Sequence, residues 1–443
     1  MTATRGLILA APASAGGKTT LTLALLRHLR DAGVGVASCK SGPDYIDPAF
    51  HAAAGGRPCR NLDGWAMRPE TLAALAWTAG DDAELVIAEG VMGLFDGTAG
   101  GAGSTADLAQ STGWPVVLVV DVKGQATSAA ATVHGFNSFR PGLTLAGVIF
   151  NRVGGDKHER MLRQACAPLG VPVLGAVRRH ADLALPDRHL GLVQAAEHPD
   201  LEAFLARAAA IIAREVDVPA LTALARPLAL PRPDTRHRPG PPPPGQRVAV
   251  ARDVAFAFGY PWLLESWQAS GADILPFSPL ADEAPAAAAD SVYLPGGYPE
   301  LHAGRLAGSA RFLDGLRAAA GAGKPVFGEC GGYMVLGQGM VDAEGARHAM
   351  AGLLGLECSF AHRRLHLGYR QVQMAADGPL GRAGTRCRGH EFHFATILGA
   401  NAAQPLFFCQ DAEGTGLPPA GEIRGPVAGS FIHLIDRHLI GRA

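Results

Sequence analysis

One cysteine, Cys330, lies in a setting suited to covalent catalysis. The stretch "KPVFGECGGYMVLGQG" predicts a strand, a sharp turn and a helix, with glycines on both sides of the thiol. Such a turn exposes a nucleophile, and the N-terminus of the helix would lower the pKa of the thiol. Backbone N–H groups beside the cysteine, and those of Gly296 and Gly297 in "YLPGGYPEL", are candidates to stabilise an oxyanion. The pattern predicts a thiolate nucleophile rather than a structural cysteine.

A thiolate nucleophile needs a partner that moves protons, and histidine is the usual one. The segment "GSFIHLID" places His433 at the end of a short apolar strand near the C-terminus. A nucleophile followed late in the chain by a histidine suits a Cys–His arrangement of the amidotransferase type. The other histidines considered for this role are His302, His362, His366, His390, His393 and His438.

A second motif, "LILAAPASAGGKTT", reads as a strand, a loop of small residues and a helix. Small residues let backbone N–H groups approach phosphate oxygens at the start of a helix. Lys18 would reach the terminal phosphates of ATP, and the Thr19 hydroxyl would bind Mg²⁺. Pro12 stands where the strict motif has its first glycine, so this is a relaxed P-loop. The other predicted ATP-binding residues of the motif are Ser14, Gly16, Gly17 and Thr20.

Carboxylates that follow predicted strands offer the oxygen ligands that magnesium needs. Glu89 ends the strand "VIAEG", at the edge where a doubly wound sheet places its ligands. Asp44 and Asp47 follow another strand in "SGPDYIDPAFH", and Asp96 lies in "GLFDG". Turn formation beside proline and glycine is the alternative explanation for the three aspartates.

Composition narrows the class of protein. The 443 residues favour two or three domains, and the net charge of −1 gives no electrostatic reason to expect nucleic acid or an anionic membrane as a partner. Seven scattered cysteines without a CxxC pair argue against a disulfide framework and a zinc ribbon, so we expect a reducing cytoplasm. The first apolar run leads directly into "GGKTT", and "VVLVV" is too short to cross a bilayer, so we predict neither a signal peptide nor a membrane segment.

The proline-rich stretch 226–246, "RPLALPRPDTRHRPGPPPPGQ", predicts a semi-rigid linker. It separates a domain at residues 1–225 from a domain at residues 247–443. In the first, apolar runs such as "VVLVVDV" alternate with helical patterns, and the second repeats this style. Continuous apolar strands with helical crossovers predict parallel sheets covered on both faces. The predicted fold class is therefore α/β, with two three-layer domains in tandem.

Several segments together resemble the family of the cobyrinic acid and hydrogenobyrinic acid a,c-diamide synthases, over about residues 4–437. They are "GLILAAPASAGGKTT", "GPDYIDPAFH", "ARDVAFAFGYPWLLE", "PFSPLAD", "YLPGGYPEL", "FGECGGYM", "GHEFHFA" and "GSFIHLID". The resemblance implies a dethiobiotin-synthetase-like P-loop domain followed by a class I glutamine amidotransferase domain. It also implies amidation of the a and c acetate carboxylates of a corrin in cobalamin biosynthesis, with ATP as co-substrate, Mg²⁺ and L-glutamine. Related synthetases make a homodimer the expected assembly.

By resemblance, Cys330 would be the glutaminase nucleophile, His433 its base, and Gly297 and Gly331 the oxyanion hole. In the synthetase domain, Asp47 and Glu89 would join Thr19 as metal ligands, and Asn151 falls where related enzymes recognise adenine. The residues implied near the reacting carboxylate are Asp44, Tyr45 and Asp96.

The sequence departs from many class I amidotransferases, which carry a glutamate two positions after the histidine. Here Ile435 holds that position and Asp436 follows it, so the Cys–His pair acts as a dyad or takes another orienting group. We expect ATP to convert the carboxylate into an acyl phosphate that ammonia, moving internally from the second domain, displaces.

Other functions stay open at this stage. One is an amidase of the cobyric acid synthase type, and another is a P-loop ATPase with a non-catalytic amidotransferase-like domain. The choice between a metal-free and a cobalt-containing ring is also open, with the metal-free ring preferred.

Overall fold

The computed structural model describes residues 4–183, 194–400 and 404–438. These residues form two compact units. The first takes in the described residues up to 65 and those between 72 and 235, and the second takes in residues 66–71 and those from 236 onward. The division after residue 235 falls within the predicted linker, whereas the assignment of residues 66–71 to the second unit was not predicted from the sequence.

The first unit is built on one sheet with the strand order β3-β2-β4-β1-β5-β6-β7, and these seven strands are all parallel. The strands are β1 (Arg5–Ala10), β2 (Val36–Ser41), β3 (Arg60–Leu62), β4 (Leu85–Glu89), β5 (Val116–Asp121), β6 (Leu145–Val153) and β7 (Val173–Arg178). The short β8 (Arg226–Pro227) pairs antiparallel with β1. The apolar runs of β1 and β5 are almost fully buried, as expected for a parallel sheet with both faces covered.

Helices connect these strands, as parallel pairing requires. Among the described residues they are α1 (Lys18–Asp31), α2 (Ile46–Gly55), α3 (Pro69–Gly80), α4 (Thr105–Thr112), α5 (Ala129–Ser138), α6 (Asp156–Cys166), α7 (Leu201–Glu215) and α8 (Val218–Ala223). Short 3₁₀ helices span Ala167–Leu169, Ala181–Leu183 and Ala195–Glu197. The predicted α/β class is confirmed, and the sheet brings the carboxyl ends of β1, β2 and β4 side by side.

The second unit contains a six-stranded sheet with the order β10-β9-β11-β12-β22-β21, in which only the β21–β22 pairing is antiparallel. Its strands are β9 (Arg247–Ala251), β10 (Asp273–Phe277), β11 (Ser291–Leu294), β12 (Val326–Glu329), β21 (Glu422–Arg424) and β22 (Val427–Ser430). The helices of this unit are α9 (Pro261–Ala269), α10 (Ala303–Gly308), α11 (Ala310–Gly321) and α12 (Gly331–Leu336), with 3₁₀ turns at Val254–Phe256, Pro279–Ala281 and Pro299–His302. Phe256, Phe312 and Leu316 pack in its core.

Two further sheets in the second unit were not predicted from the sequence. One has the order β14-β13-β15-β18 and the other the order β20-β19-β16-β17-β23. Their strands are β13 (Gly339–Val341), β14 (Arg347–Ala349), β15 (Leu356–Ser359), β16 (His366–Met374), β17 (Arg386–His393), β18 (Thr396–Ala400), β19 (Phe407–Gln410), β20 (Gly416–Ala420) and β23 (Ile432–Arg437). The last of these strands carries His433.

The proline-rich linker is bound along its length rather than free. Its first residues form β8 on the sheet of the first unit, and the indole N–H of Trp77 donates to the carbonyl of Leu230 at 3.0 Å. Farther along, within the second unit, the carbonyl of Pro241 accepts a hydrogen bond from the Trp267 indole at 2.9 Å. Carbonyl acceptors thus anchor a segment whose prolines cannot donate.

Candidate active sites

The loop between β1 and α1 has a backbone conformation that depends on glycine. Gly17 has a φ of 86°, and a Cβ at this position would lie 2.1 Å from Nδ2 of Asn151, so the position needs glycine. The same Nδ2 atom donates to the carbonyl of Gly16 at 2.9 Å. The structure therefore places Asn151 directly against the predicted phosphate loop, while its contact with adenine stays a prediction.

Glu89 is the centre of the polar network beside this loop. Its carboxylate is fully buried at the end of β4, and its Oε1 atom accepts from Lys18 Nζ at 3.1 Å and from Thr19 Oγ1 at 2.6 Å. Burial alone would raise the pKa of Glu89, but the neighbouring cations, above all Lys40, hold it well below its usual value. Glu89 is therefore an anion throughout the neutral pH range.

Lys40 and His51 belong to the same network and were not singled out from the sequence. Lys40 is paired in register with Glu89 across β2 and β4, and its ammonium bonds Glu89 Oε1 at 2.9 Å and also Asp47. The His51 Nε2 atom lies 2.6 Å from Glu89 Oε2. Burial alone would lower the pKa of His51, yet contacts with Cys59 and Glu89 raise it to about 10. A lysine at the carboxyl end of a buried strand was the available signal for Lys40.

The aspartates between β2 and α2 combine turn formation with access to the network. Asp44 Oδ1 accepts the backbone N–H groups of Ile46 and Asp47, at 2.8 and 3.3 Å, and Tyr45 is the residue just before α2. Burial and the neighbouring Asp47 raise the pKa of Asp44 to about 7. Asp47 Oδ2 lies 3.4 Å from Thr19 Oγ1.

The remaining predicted residues lie around the loop. Asp96 is exposed, and its Oδ2 atom accepts the Gly93 N–H at 2.9 Å, which is the turn function considered as its alternative. Ser14 is exposed at the tip of the loop. Thr20 lines a cavity of about 120 Å³ together with Gly17, Asn151 and Arg152.

In the second unit, Cys330 stands at a strained turn between β12 and α12. Its φ of 48° and ψ of −103° are unusual for a residue with a side chain. Glycines make the turn possible, because a Cβ on Gly332 would lie 2.1 Å from the carbonyl oxygen of Leu294 and one on Gly328 would lie 2.6 Å from the carbonyl carbon of Gly332. The predicted strand, turn and helix around the thiol are therefore present.

The sheet brings His433 to this turn. β12 and β22 are parallel neighbours, the Cys330 N–H donates to the Ser430 carbonyl at 2.8 Å, and β22 leads directly to His433. A Cβ placed on Gly296 would lie 3.4 Å from Cys330 Cβ, 3.3 Å from His433 Nε2 and 2.4 Å from His433 Cε1. The Cys330 Cβ and the imidazole therefore border the same small space, which is open because residue 296 has no side chain, while the thiol donates to the Phe392 carbonyl at 3.8 Å.

The Gly296→Ala variant is expected to lower the rate of glutamine hydrolysis at least about tenfold, because the imidazole must move away from the thiol to admit the methyl group. Ammonia-dependent amidation should be unchanged. Gly308→Ala, where an added Cβ meets no atom within 4 Å, is the matched control. Glutamate release by the purified variants measures the effect, and equal rates for the two variants would contradict this geometry.

The two predicted oxyanion-hole glycines lie close together. A Cβ on Gly331 would be 3.1 Å from the backbone nitrogen of Gly297, and a Cβ on Gly297 would be 2.1 Å from the carbonyl oxygen of Ala255. Both positions therefore require glycine, and the Gly331 N–H donates a hydrogen bond to the Cys330 sulfur. Their role in binding an oxyanion stays a prediction.

The expectation of a lowered thiol pKa is wrong for this structure. Burial, followed by the negative charge of Glu300, raises the pKa of Cys330 well above its ordinary value. The helix that follows has only six residues, all buried, so its dipole is too weak to offset desolvation. Burial and the nearby His390 and His393 hold the pKa of His433 well below its usual value. The resting pair is therefore a neutral thiol beside a neutral imidazole that can accept its proton.

The acid near the end of β23, Asp436, is hydrogen-bonded to an arginine and not to His433. Asp436 is fully buried, and Arg68 donates to it from its backbone N–H at 2.9 Å, from Nε at 3.0 Å and from Nη2 at 2.8 Å. Arg68 comes from the short segment that joins the second unit. The ring of His433 stacks instead against the ring of His390, with centroids 5.0 Å apart and an interplanar angle of 18°. Asp436 therefore fixes the strand, and any acid that orients His433 must come from another element.

Two families match the chain. Residues 7–193 match the CobQ/CobB/MinD/ParA nucleotide binding domain, and residues 247–438 match the CobB/CobQ-like glutamine amidotransferase domain. Full-length relatives cover both regions. A hydrogenobyrinate a,c-diamide synthase of Rhizobium meliloti is 54% identical over 436 residues, which span 97% of this chain and 99% of the relative. The enzyme of that name from Rhodobacter capsulatus is 55% identical over 435 residues, spanning 97% of this chain and 98% of the relative.

Together, the fold and the sites define an ATP-using synthetase joined to a glutamine amidotransferase. Within that class, the chain belongs to the hydrogenobyrinate a,c-diamide synthase family. No helix among the described residues has the length and apolar character needed to span a membrane.

Proposed function

We propose that the chain amidates the a and c acetate carboxylates of hydrogenobyrinic acid, with ATP as energy source and glutamine as nitrogen donor. The observation that carries this proposal is identity of 54% across nearly the whole of a synthase named for that product. The alternative of a non-catalytic amidotransferase-like domain is disfavoured, because Cys330 and His433 both border the space beside Gly296. A homodimer and a cytoplasmic location stay predictions.

At the amidotransferase site, His433 Nε2 accepts the proton of the Cys330 thiol as the sulfur attacks the side-chain amide of glutamine. The neutral resting state of both groups fits this order of events, because the proton moves only when substrate is present. The N–H groups of Gly297 and Gly331 stabilise the oxyanion. His433 returns the proton to the leaving nitrogen, ammonia departs, and water hydrolyses the thioester to glutamate.

At the synthetase site, a carboxylate of the corrin attacks the terminal phosphate of ATP, which forms an acyl phosphate and releases ADP. Phosphoryl transfer depends on positioning and charge neutralisation. Lys18 supplies a positive charge at the P-loop, and Lys40 supplies another that the sequence analysis did not include. Ammonia then replaces phosphate to give the amide. Asp44, Tyr45 and Asp96 are the proposed contacts to the carboxyl-bearing substrate.

The oxygen-bearing side chains of this site are of the kind that bind magnesium. The Thr19 hydroxyl and the carboxylates of Glu89 and Asp47 bring oxygen atoms together, with Thr19 Oγ1 2.6 Å from Glu89 and 3.4 Å from Asp47. Mg²⁺ held by these residues would neutralise charge on the phosphate oxygens. Lys40, which contacts both carboxylates, would balance their remaining charge.

The decisive experiment incubates the purified chain with ATP and glutamine labelled with ¹⁵N in its side-chain amide. Metal-free hydrogenobyrinic acid and its cobalt-containing counterpart, cobyrinic acid, are compared as substrates. We expect two labelled nitrogens in the metal-free product by mass spectrometry. Preferred labelling of the cobalt ring would reassign the substrate, and turnover of ATP and glutamine without label in either ring would refute the function.

A further inference from the structure

Glu329 is a buried acid that no part of the proposed mechanism uses. It ends β12 immediately before Cys330 and is only 4% exposed. Its Oε1 atom accepts the backbone N–H of Leu434 at 3.1 Å, and its Oε2 atom accepts the Tyr293 hydroxyl at 2.8 Å. One carboxyl group therefore joins the strand of the nucleophile to the residue that follows His433. Burying a carboxyl group costs free energy unless its oxygen atoms accept hydrogen bonds, as both oxygens of Glu329 do.

The same carboxyl group faces the imidazole. Glu329 Oε2 lies 3.9 Å from His433 Nδ1, whereas Cε1 and Nε2 are the ring atoms that border the space beside Gly296. Neither nearby alternative can take this role, because Ile435 is aliphatic and Asp436 is held by three hydrogen bonds from Arg68. In a Cys–His–acid arrangement, the acid holds the imidazole in one tautomer and stabilises the imidazolium.

We propose that Glu329 is the orienting acid of the glutaminase site, supplied by the residue before the nucleophile instead of by the strand that carries the histidine. This inference rests on the proposed glutaminase function. When His433 takes the proton of Cys330 on Nε2, its Nδ1–H becomes the donor that faces Glu329. The carboxylate then balances the positive charge on the ring. Glu329 is a positioning residue, since it acts through His433 and not on glutamine.

The surroundings of Glu329 bring the pKa of its carboxyl group close to neutral pH. Burial raises the pKa of Glu329 to about 7, although the hydrogen bonds from Tyr293 and Leu434 lower it. The titratable groups that face this carboxyl from the elements packed around it are Tyr293 on β11, Cys330 before α12, Cys387 on β17 and His433 on β23. The pKa values of Tyr293, Cys330 and Cys387 are raised and that of His433 is lowered well below 6.5. Glu329 is therefore the member of this set that titrates near pH 7.

The test measures glutamate release from glutamine between pH 6 and 9. Because the ionised carboxylate is the useful form, the wild-type kcat should rise with pH through about 7. Glu329→Gln should lower kcat about 10- to 100-fold and remove this rise, with the KM for glutamine unchanged. Glu329→Asp should restore part of the rise, because it restores the charge. Glu344→Gln, at an exposed position in the same unit, is the matched control.

Tyr293→Phe provides an independent measurement. Its hydroxyl lowers the pKa of Glu329, so its removal should move the rise in kcat to higher pH while the aromatic ring is kept. Unchanged kcat and pH dependence in Glu329→Gln would overturn the proposal, as would a change confined to KM. An unmoved profile in Tyr293→Phe would also count against it.

Failure of this proposal differs from failure of the function. The assay needs no corrin, and the circular dichroism spectrum and thermal unfolding of Glu329→Gln report whether the variant is folded. If the wild type hydrolyses glutamine but amidates no corrin, the proposed function is wrong while the role of Glu329 can still be decided.

Discussion

Cys330→Ala is expected to abolish glutamine-dependent amidation, with a fall in rate of at least about a thousandfold. Alanine removes the sulfur that attacks the amide. Ammonia-dependent amidation should persist, because the phosphate loop and its acidic partners belong to the other unit. Amide formation is measured with glutamine and then with ammonium chloride as the nitrogen source.

The positive φ at residue 330 adds a second expectation for this variant. Alanine retains the Cβ, so the strained turn stays as costly as in the wild type and no gain in stability from a relaxed turn is expected. Cys409→Ala is the control, since Cys409 is also buried but lies on β19. Equal loss of the glutamine and ammonia activities in Cys330→Ala would show that the two units do not divide the reaction as proposed.

Lys18→Ala is expected to reduce amidation about a hundred- to a thousandfold with either nitrogen source. The variant loses the ammonium group that lies on Glu89 at the head of α1, which is the charge placed to meet the phosphates. Glutamate release at Cys330 should continue. Phosphate release from ATP and glutamate release from glutamine, measured in parallel, separate these two outcomes.

Two further variants provide a control for Lys18→Ala and a test of the second lysine. Arg207→Ala removes an exposed cation on α7 of the same unit and should retain full activity. Lys40→Ala tests the additional lysine, which contacts Glu89 and Asp47, and it should also reduce ammonia-dependent amidation. An unchanged amidation rate in Lys18→Ala would remove the basis for the P-loop assignment.

The parts that the sequence predicted well depend on local chemistry. Apolar runs predicted β1, β4 and β5, and the glycines around Cys330 predicted its turn, because both patterns are set by neighbours in the chain. The choice of His433 among seven histidines also depended on a local pattern, the apolar strand before it. The structure brings it to the same small space as the thiol.

The features that were not predicted from the sequence depend on pairing between residues that are distant in the chain. Lys40 is paired with Glu89 through the register of two strands, and nothing in the residues around Lys40 shows which carboxylate will face it. The two unpredicted sheets also include distant pairings, since β15 pairs with β18 through Leu356 and Ala400, and β17 pairs with β23 through Cys387 and Arg437. The thiol pKa was misjudged for a related reason, since burial is a property of the folded unit and outweighed a short helix.

Residues 66–71 have a consequence for any attempt to divide this protein at its proline-rich stretch. A fragment that starts after residue 246 would contain Asp436 but not Arg68. The buried carboxylate of Asp436 would then lose the three hydrogen bonds that Arg68 donates to it. An amidotransferase of this kind is therefore encoded by two separate pieces of the gene. Recombination at the apparent border would yield a product that lacks a small but necessary part of its own interior.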